Sequence, residues 1–479
     1  MKTKTLPPGA GMLTRIGTRW LPFADAASES LPLPRLLRLA LFQVSVGMAL
    51  TLLVGTLNRV MIVELGVGAL LVSAMIALPL LLAPLRALIG FRSDVHRSAF
   101  GWRRVPYLWF GTLIQFGGLA IMPFALLVLG GGHSGPAWVG VAGAGLAFLL
   151  VGVGAHTVQT AGLALATDLA RPEERPRVVA LLYLFLLFGM IIAGTAFAWL
   201  LADFDPIRLI RVVQGAAVVT VALNVVALWK QEARDPARAR APAEPSSFAA
   251  AWRRFSRGGR ATRLLIAVGL GAAGFSMQEV LLEPFGGEVL GMEVGATSFL
   301  TALTALGAVV AFAWSARLLQ RGTDACRLAA FGALLGVVAF LLILVSGPFG
   351  SPLLLQAGAT LIGAGGGLFL VGTLTAAMDL HETEGNGLAV GAWGAMQATA
   401  MGVAILGGGV IRDSFATLAE AGRLGPGVSG PGAGYLVVFQ LEIVALFLTM
   451  AVLGPLITRG SGIAASSRRA RFGLAELPG

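Results

Sequence analysis

Twelve stretches of apolar residues, each about 20 long, follow one another along the chain with short polar breaks between them. They cover residues 36–61, 66–90, 107–132, 137–168, 178–201, 207–229, 264–288, 296–316, 328–346, 352–378, 387–411 and 435–457. As an α-helix each is long enough to cross roughly 30 Å of hydrocarbon. The pattern predicts an all-α integral membrane protein.

Composition leads to the same place. With 56% hydrophobic and 12% charged residues and a mean hydropathy of +0.83, too little polar surface is left to coat a soluble globule of this length. Cys326 is the only cysteine, so no internal disulfide forms and stability rests on helix packing. A formal charge of +11 raises the question of nucleic acid. The basic residues, however, fall in loops between spans rather than on one face, so they report topology and contact with anionic lipid headgroups.

Lys and Arg crowd residues 1–35, the second-to-third link (Arg92, Arg97, Arg103, Arg104), the fourth-to-fifth link (Arg171, Arg175, Arg177), the central linker and the tail. The positive-inside rule makes these segments, and both termini, cytoplasmic. Residues 1–35 hold several prolines and no apolar signal core, so the first helix is expected to serve as its own insertion signal. The expected organisation is a cytoplasmic segment 1–35, a six-helix bundle 36–229, a Pro-, Ala- and Arg-rich linker 230–262, a second bundle 263–457 and a tail 458–479.

The two bundles repeat one another. ALATDLARPEE from Ala164 matches TAAMDLHETEG from Thr375, which superimposes Asp168 on Asp379, Gly152 on Gly363 and Gly154 on Gly365. TLNRVMIVELG from Thr56 matches SMQEVLLEPFG from Ser276, and so places Arg59 over Glu279. Such repeats indicate two pseudo-symmetric units meeting around a site near the membrane midplane.

A six-plus-six plan with a basic second-to-third link resembles the major facilitator superfamily, whose link begins G-x-x-x-D, here Gly90-Phe91-Arg92-Ser93-Asp94. The usual continuation is interrupted by Val95–Phe100 before Gly101-Trp102-Arg103-Arg104. That departure, with LFQVSVGMA from Leu41, GTLNRVMIVELGV from Gly55, ALIGFRSDVHRSAFGWRRVPYLWFGT from Ala87, QFGGLAIMPFALL from Gln115 and RWLPFADAASESLPL from Arg19, resembles the PucC/LhaA family. This is the bacteriochlorophyll delivery branch of the superfamily. The resemblance implies a major facilitator fold in a bacterial photosynthetic inner membrane. It also implies an assembly factor that hands bacteriochlorophyll to light-harvesting alpha and beta polypeptides or escorts them. The look of the N-terminus leans towards members serving the core antenna, LH1, around the reaction centre. Carotenoid and phospholipid are further candidate ligands, and nucleic acid is not a partner.

Charges inside apolar spans rank first as functional candidates because each is costly there unless paired. Arg59 and Glu279 occupy matching places in spans one and seven, which suggests an ion pair joining the halves as a gate or clasp. The alternative is that Arg59 snorkels to lipid phosphate while Glu279 meets water. Arg86 follows the kinking prolines Pro79 and Pro84, and Asp94 with Arg86, Arg92 or Arg97 would lock neighbouring helices. Asp168 and Asp379 each end a span, where the helix dipole disfavours an anion, so each needs a basic partner in the same latch. Glu279 and Glu283 share a helical face and form a candidate proton site, although Pro284 places Glu283 close to the membrane surface.

If bacteriochlorophyll is the cargo, its magnesium needs an axial ligand, and His156 is the one histidine within a span. Gly152 and Gly154 beside it, and Gly365 and Gly367 in the symmetry mate, would let a flat macrocycle approach the backbone. Interhelical hydrogen bonding and close helix packing explain the same residues equally well. No P-loop, H-E-x-x-H or cysteine-pair motif points to an enzyme. The rival reading is a proton-coupled secondary transporter of a small solute, which requires a titratable carboxylate near the midplane.

Overall fold

The computed structural model describes residues 31–82, 102, 104–130, 136–171, 174–232, 259–379, 386–425 and 432–457. Twelve helices follow in order: α1 Leu33–Glu64, α2 Ala69–Leu81, α3 Val105–Leu129, α4 Ala137–Leu169, α5 Arg175–Leu200 and α6 Pro206–Leu228 in the first half. The second half holds α7 Gly259–Glu288, α8 Val294–Gln320, α9 Ala325–Ser346, α10 Pro352–Asp379, α11 Asn386–Glu420 and α12 Gly432–Leu453. All but α2 are long and apolar enough to cross a membrane within their described residues.

Local chemistry sets the helix starts. Proline occupies the first turn of α1, α3, α5 and α6, where a missing N–H is harmless. Asp205 and Asp324 cap α6 and α9 by accepting the backbone N–H of Arg208 and Arg327 at 3.1 and 2.9 Å. Large apolar side chains such as Phe110, Phe124, Trp199 and Leu353 stay exposed on the outer surface, as expected where lipid replaces water.

In each half a closely packed helix pair is built on glycine. A Cβ on Gly154 of α4 would come within 2.5 Å of the Gln115 backbone nitrogen of α3. One on Gly365 of α10 would come within 2.7 Å of the Gly332 carbonyl oxygen of α9. Backbones therefore touch directly, the usual means by which membrane helices gain dispersion contact. The repeat read from the sequence thus reappears as the same packing in both halves.

The halves meet along two further pairs. In α5 and α8, Gly194 lies against Ala302 and Gly295 against Ala198 and Ala202. In α2 and α11, Gly409 lies against Ser73, and Gly402 against Leu80 and Leu81. Between these flanks α1 touches α8, where Gly55 faces Thr301 and the Thr56 and Ser298 hydroxyls lie 3.1 Å apart.

One boundary differs from the hydropathy reading. The apolar run before the final helix ends at Ile411, yet α11 continues to Glu420. Arg412 and Asp413 interrupt the apolar run but pair with each other and with neighbouring helices, so the helix carries them onward.

Candidate functional site

Both helices that open a half lose regular winding at repeat-related positions. α1 turns to π-helix over Thr51–Leu57 and Val60–Glu64. α7 breaks into a 3₁₀ turn over Met277–Val280 before resuming at Leu282. Such local rewinding leaves backbone groups without their helical partners, which other side chains must then satisfy.

Two polar side chains, from Glu442 and Asn58, do so at the α7 break. Glu442 of α12 accepts the Gln278 N–H at 2.8 Å. Asn58 of α1 donates to the Val280 carbonyl at 3.0 Å, and to the Glu283 carboxylate at 3.4 Å. Thr301 of α8 donates to the other Glu283 oxygen at 2.6 Å. Glu442 is fully buried and Glu283 is 3% exposed. Glu283 is therefore not at a wet surface as Pro284 suggested, because α1 and α8 cover it.

Glu279, half-buried between these two acids, has no ion-pair partner among the described residues. The expected Arg59–Glu279 pair does not form. Arg59 instead pairs with Glu64 at 2.8 Å. Five residues separate the two, and π winding stacks positions i and i+5, so the distortion of α1 brings Glu64 over Arg59. Arg59 still joins the halves, but through the Met292 carbonyl at 3.2 Å and by lying against Gly287.

A second cluster lies on the side of the bundle opposite Leu33 of α1 and Leu453 of α12. Arg412 of α11 meets Glu288 at the end of α7 at 2.5 Å and Asp413 at 2.9 Å, and lies 4.8 Å over the Tyr435 ring of α12. The Tyr435 hydroxyl donates to Glu288 at 3.0 Å. Asp413 in turn caps α2, accepting the Ala69 and Leu70 N–H groups at 3.1 and 2.8 Å. One arginine thus ties α7, α11 and α12 to the start of α2 in the other half.

On the side of Leu33 and Leu453, Asp168 has the basic partner expected of it, Arg104 at 3.1 Å. Glu232 accepts the Arg104 and Val105 N–H groups at the head of α3, while Arg35 and Gln231 clip the ends of α1 and α6. Arg86, Asp94 and Arg97 lie outside the described residues, as does the Asp379 side chain at the end of α10.

His156 is half-buried on α4, one turn from Gly152 and on the same face. The flat floor proposed around it is not open. Gly152 is filled by Pro79 and Gly154 by Gln115, while Gly365 meets Gly332 and Gly367 meets Ala311. These four glycines serve helix contact rather than a macrocycle. His96, His133 and His381 lie outside the described residues. Among the described residues no group of three His, Cys, Asp or Glu side chains is placed to hold a metal ion.

Sequence reasoning missed Glu442, Asn58, Arg412 and Asp413. Glu442 is the one charged residue in Gly432–Leu453, a signal of the kind that drew attention to Arg59.

The family model for the PUCC protein matches residues 56–461. The chain is 56% identical over 471 residues to an uncharacterised protein of the puhA-bchM intergenic region of Rhodobacter capsulatus, covering 98% of both chains. It is 57% identical over 408 residues to protein PucC of Rhodovulum sulfidophilum, covering 84% of this chain and 90% of that one. Among solved structures, the nucleoside transporter NupG superimposes with a TM-score of 0.63 at 14% identity, over 87% of this chain and 98% of that one. That likeness shows a fold shared with transporters of the major facilitator type.

Proposed function

Because this chain belongs to the PUCC protein family, we propose that it is an assembly factor for the bacterial light-harvesting antenna. In this reading it sits in the photosynthetic membrane, binds bacteriochlorophyll, and presents it to antenna polypeptides of the core complex, LH1, around the reaction centre. It converts no substrate. The family match across both halves carries the proposal.

The structure's own support is mechanical. Two helix pairs join the halves along their length, and the Arg412 cluster fastens the side away from Leu33 and Leu453. Such a body suits holding or lateral handover of a large apolar pigment, whose transfer through water would expose its whole hydrophobic surface. This reading assigns His156 as the axial magnesium ligand, while the glycines around it do not offer a macrocycle floor. When bound, the pigment would supply the light-absorbing tetrapyrrole itself, and the protein's part is to hold and orient it.

A second reading, a proton-coupled transporter of a small solute, draws on Glu283 and Glu442, which are membrane-embedded carboxyl groups of the kind such transporters use. Isolation in mild detergent separates the two. Co-purifying bacteriochlorophyll and antenna polypeptides support assembly; a colourless, solitary protein that moves a solute into vesicles overturns it.

A further inference from the structure

Three acids converge on the α7 break, and among the described residues none of the three forms an ion pair. Glu442 lies about ten residues into α12, roughly 15 Å along the helix axis, near the middle of a hydrocarbon layer about 30 Å thick. One of its oxygens accepts the Gln278 N–H, while the other is buried without any hydrogen-bond partner. Glu279 adjoins Gln278, whose N–H Glu442 holds, and precedes Glu283 by four residues, about one helical turn.

The groups facing α7 from its neighbours do not neutralise this charge. From α1 come Asn58, which is neutral, and Arg59, whose guanidinium is engaged by Glu64 and the Met292 carbonyl. Thr301 comes from α8, and Arg412 of α11 is held by Glu288 and Asp413. Ser73 of α2 packs beside α11. Two buried carboxylates, Glu283 and Glu442, beside the half-buried Glu279 and with no ion-pair partner, favour neutralisation of at least one of them. No group of three His, Cys, Asp or Glu side chains among the described residues is placed to hold a metal ion, and a proton is the simplest neutralising charge.

We propose that Glu279, Glu283 and Glu442 form a buried proton-binding site at the break in α7, with Glu442 carrying the exchangeable proton. As the acid, Glu442 keeps its bond from Gln278 N–H and places an O–H on the oxygen that now has no partner. When the proton leaves to water, the negative charge created faces Glu279, and the contact that braces the broken turn of α7 is strained. The site stands whether or not pigment is the cargo.

Infrared spectroscopy of the purified full-length protein tests this. Wild type at neutral pH should show the carbonyl stretch of a buried carboxylic acid, shifting in heavy water, and Glu442→Gln should remove one carboxyl's share of it. A hydrophobic carbodiimide should label Glu442, and raising the pH should abolish the labelling. Absence of the acid band in wild type overturns the proposal, as does a band unchanged in Glu442→Gln. Protection from the carbodiimide by sodium at constant pH also overturns it, by identifying a metal cation as the occupant. If Glu442→Gln does not fold, the site of the carbodiimide label in wild type, mapped by peptide mass, decides the matter: Glu442 supports the proposal and any other residue overturns it. Failure of pigment to co-purify leaves all these readouts untouched, so the two proposals fail separately.

Discussion

Arg412 and Glu288 meet at 2.5 Å where α11 crosses the end of α7, with side chains only 11% and 16% exposed. Removing one partner strands the other in a setting too dry to solvate it. Arg412→Ala should therefore destabilise the protein by about 3 kcal/mol. A paired replacement, Arg412→Met with Glu288→Leu, should recover much of that loss. Thermal unfolding in detergent, followed by helical circular dichroism, reads both outcomes, and equal damage from the single and the paired change would contradict them.

Arg59 and Glu64 make a prediction that separates the observed pair from the one suggested by symmetry. Exchanging the charges in Arg59→Glu with Glu64→Arg should restore part of the stability lost in Arg59→Glu, with a recovery of about 1 kcal/mol. The same exchange between Arg59 and Glu279 should restore nothing. A thermodynamic cycle on each pair distinguishes them.

Asp413 acts across the halves as the cap of α2. Asp413→Ala should cost about 1 kcal/mol, and Asp413→Asn less, because an amide oxygen still accepts one of the two N–H groups. Hydrogen exchange at Ala69 and Leu70 should accelerate in the alanine variant before it does elsewhere in α2.

The glycine seams predict a contrast within α3 and its partner. Gly154→Val should abolish accumulation of folded protein, because the added atoms meet the Gln115 backbone. Gly117→Ala, where nothing lies within 4 Å, should be neutral. Detergent-resistant monomer on size exclusion reports the difference.

His156→Ala tests the pigment reading directly. Co-purified bacteriochlorophyll should fall by about tenfold or more, since one lost metal bond is worth upwards of about 1.4 kcal/mol of affinity. Unchanged pigment content would remove His156 from the site.

The helices were legible because hydrocarbon imposes one simple demand, an apolar run long enough to span it, and a single chain displays that openly. The repeat was legible through small residues and aspartates, and Gly154 and Gly365 do occupy matching seams. The roles of Asn58 and Glu442 were not legible. Each answers a backbone group freed by the change of winding at Met277–Val280, and no hydrophobicity pattern announces that change. Arg59 shows the same limit, since its neighbour depends on π winding that moves Glu64 by a fraction of a turn.

Backbones pressed together at Gly154 and Gly365 leave α3 with α4, and α9 with α10, no slack for sliding or bending, so each pair behaves as one stiff plank. Flexing falls more easily on the turns of α1 and α7 whose coiling already departs from the regular form. A substitution that straightens either joint should stall the machine without loosening its frame.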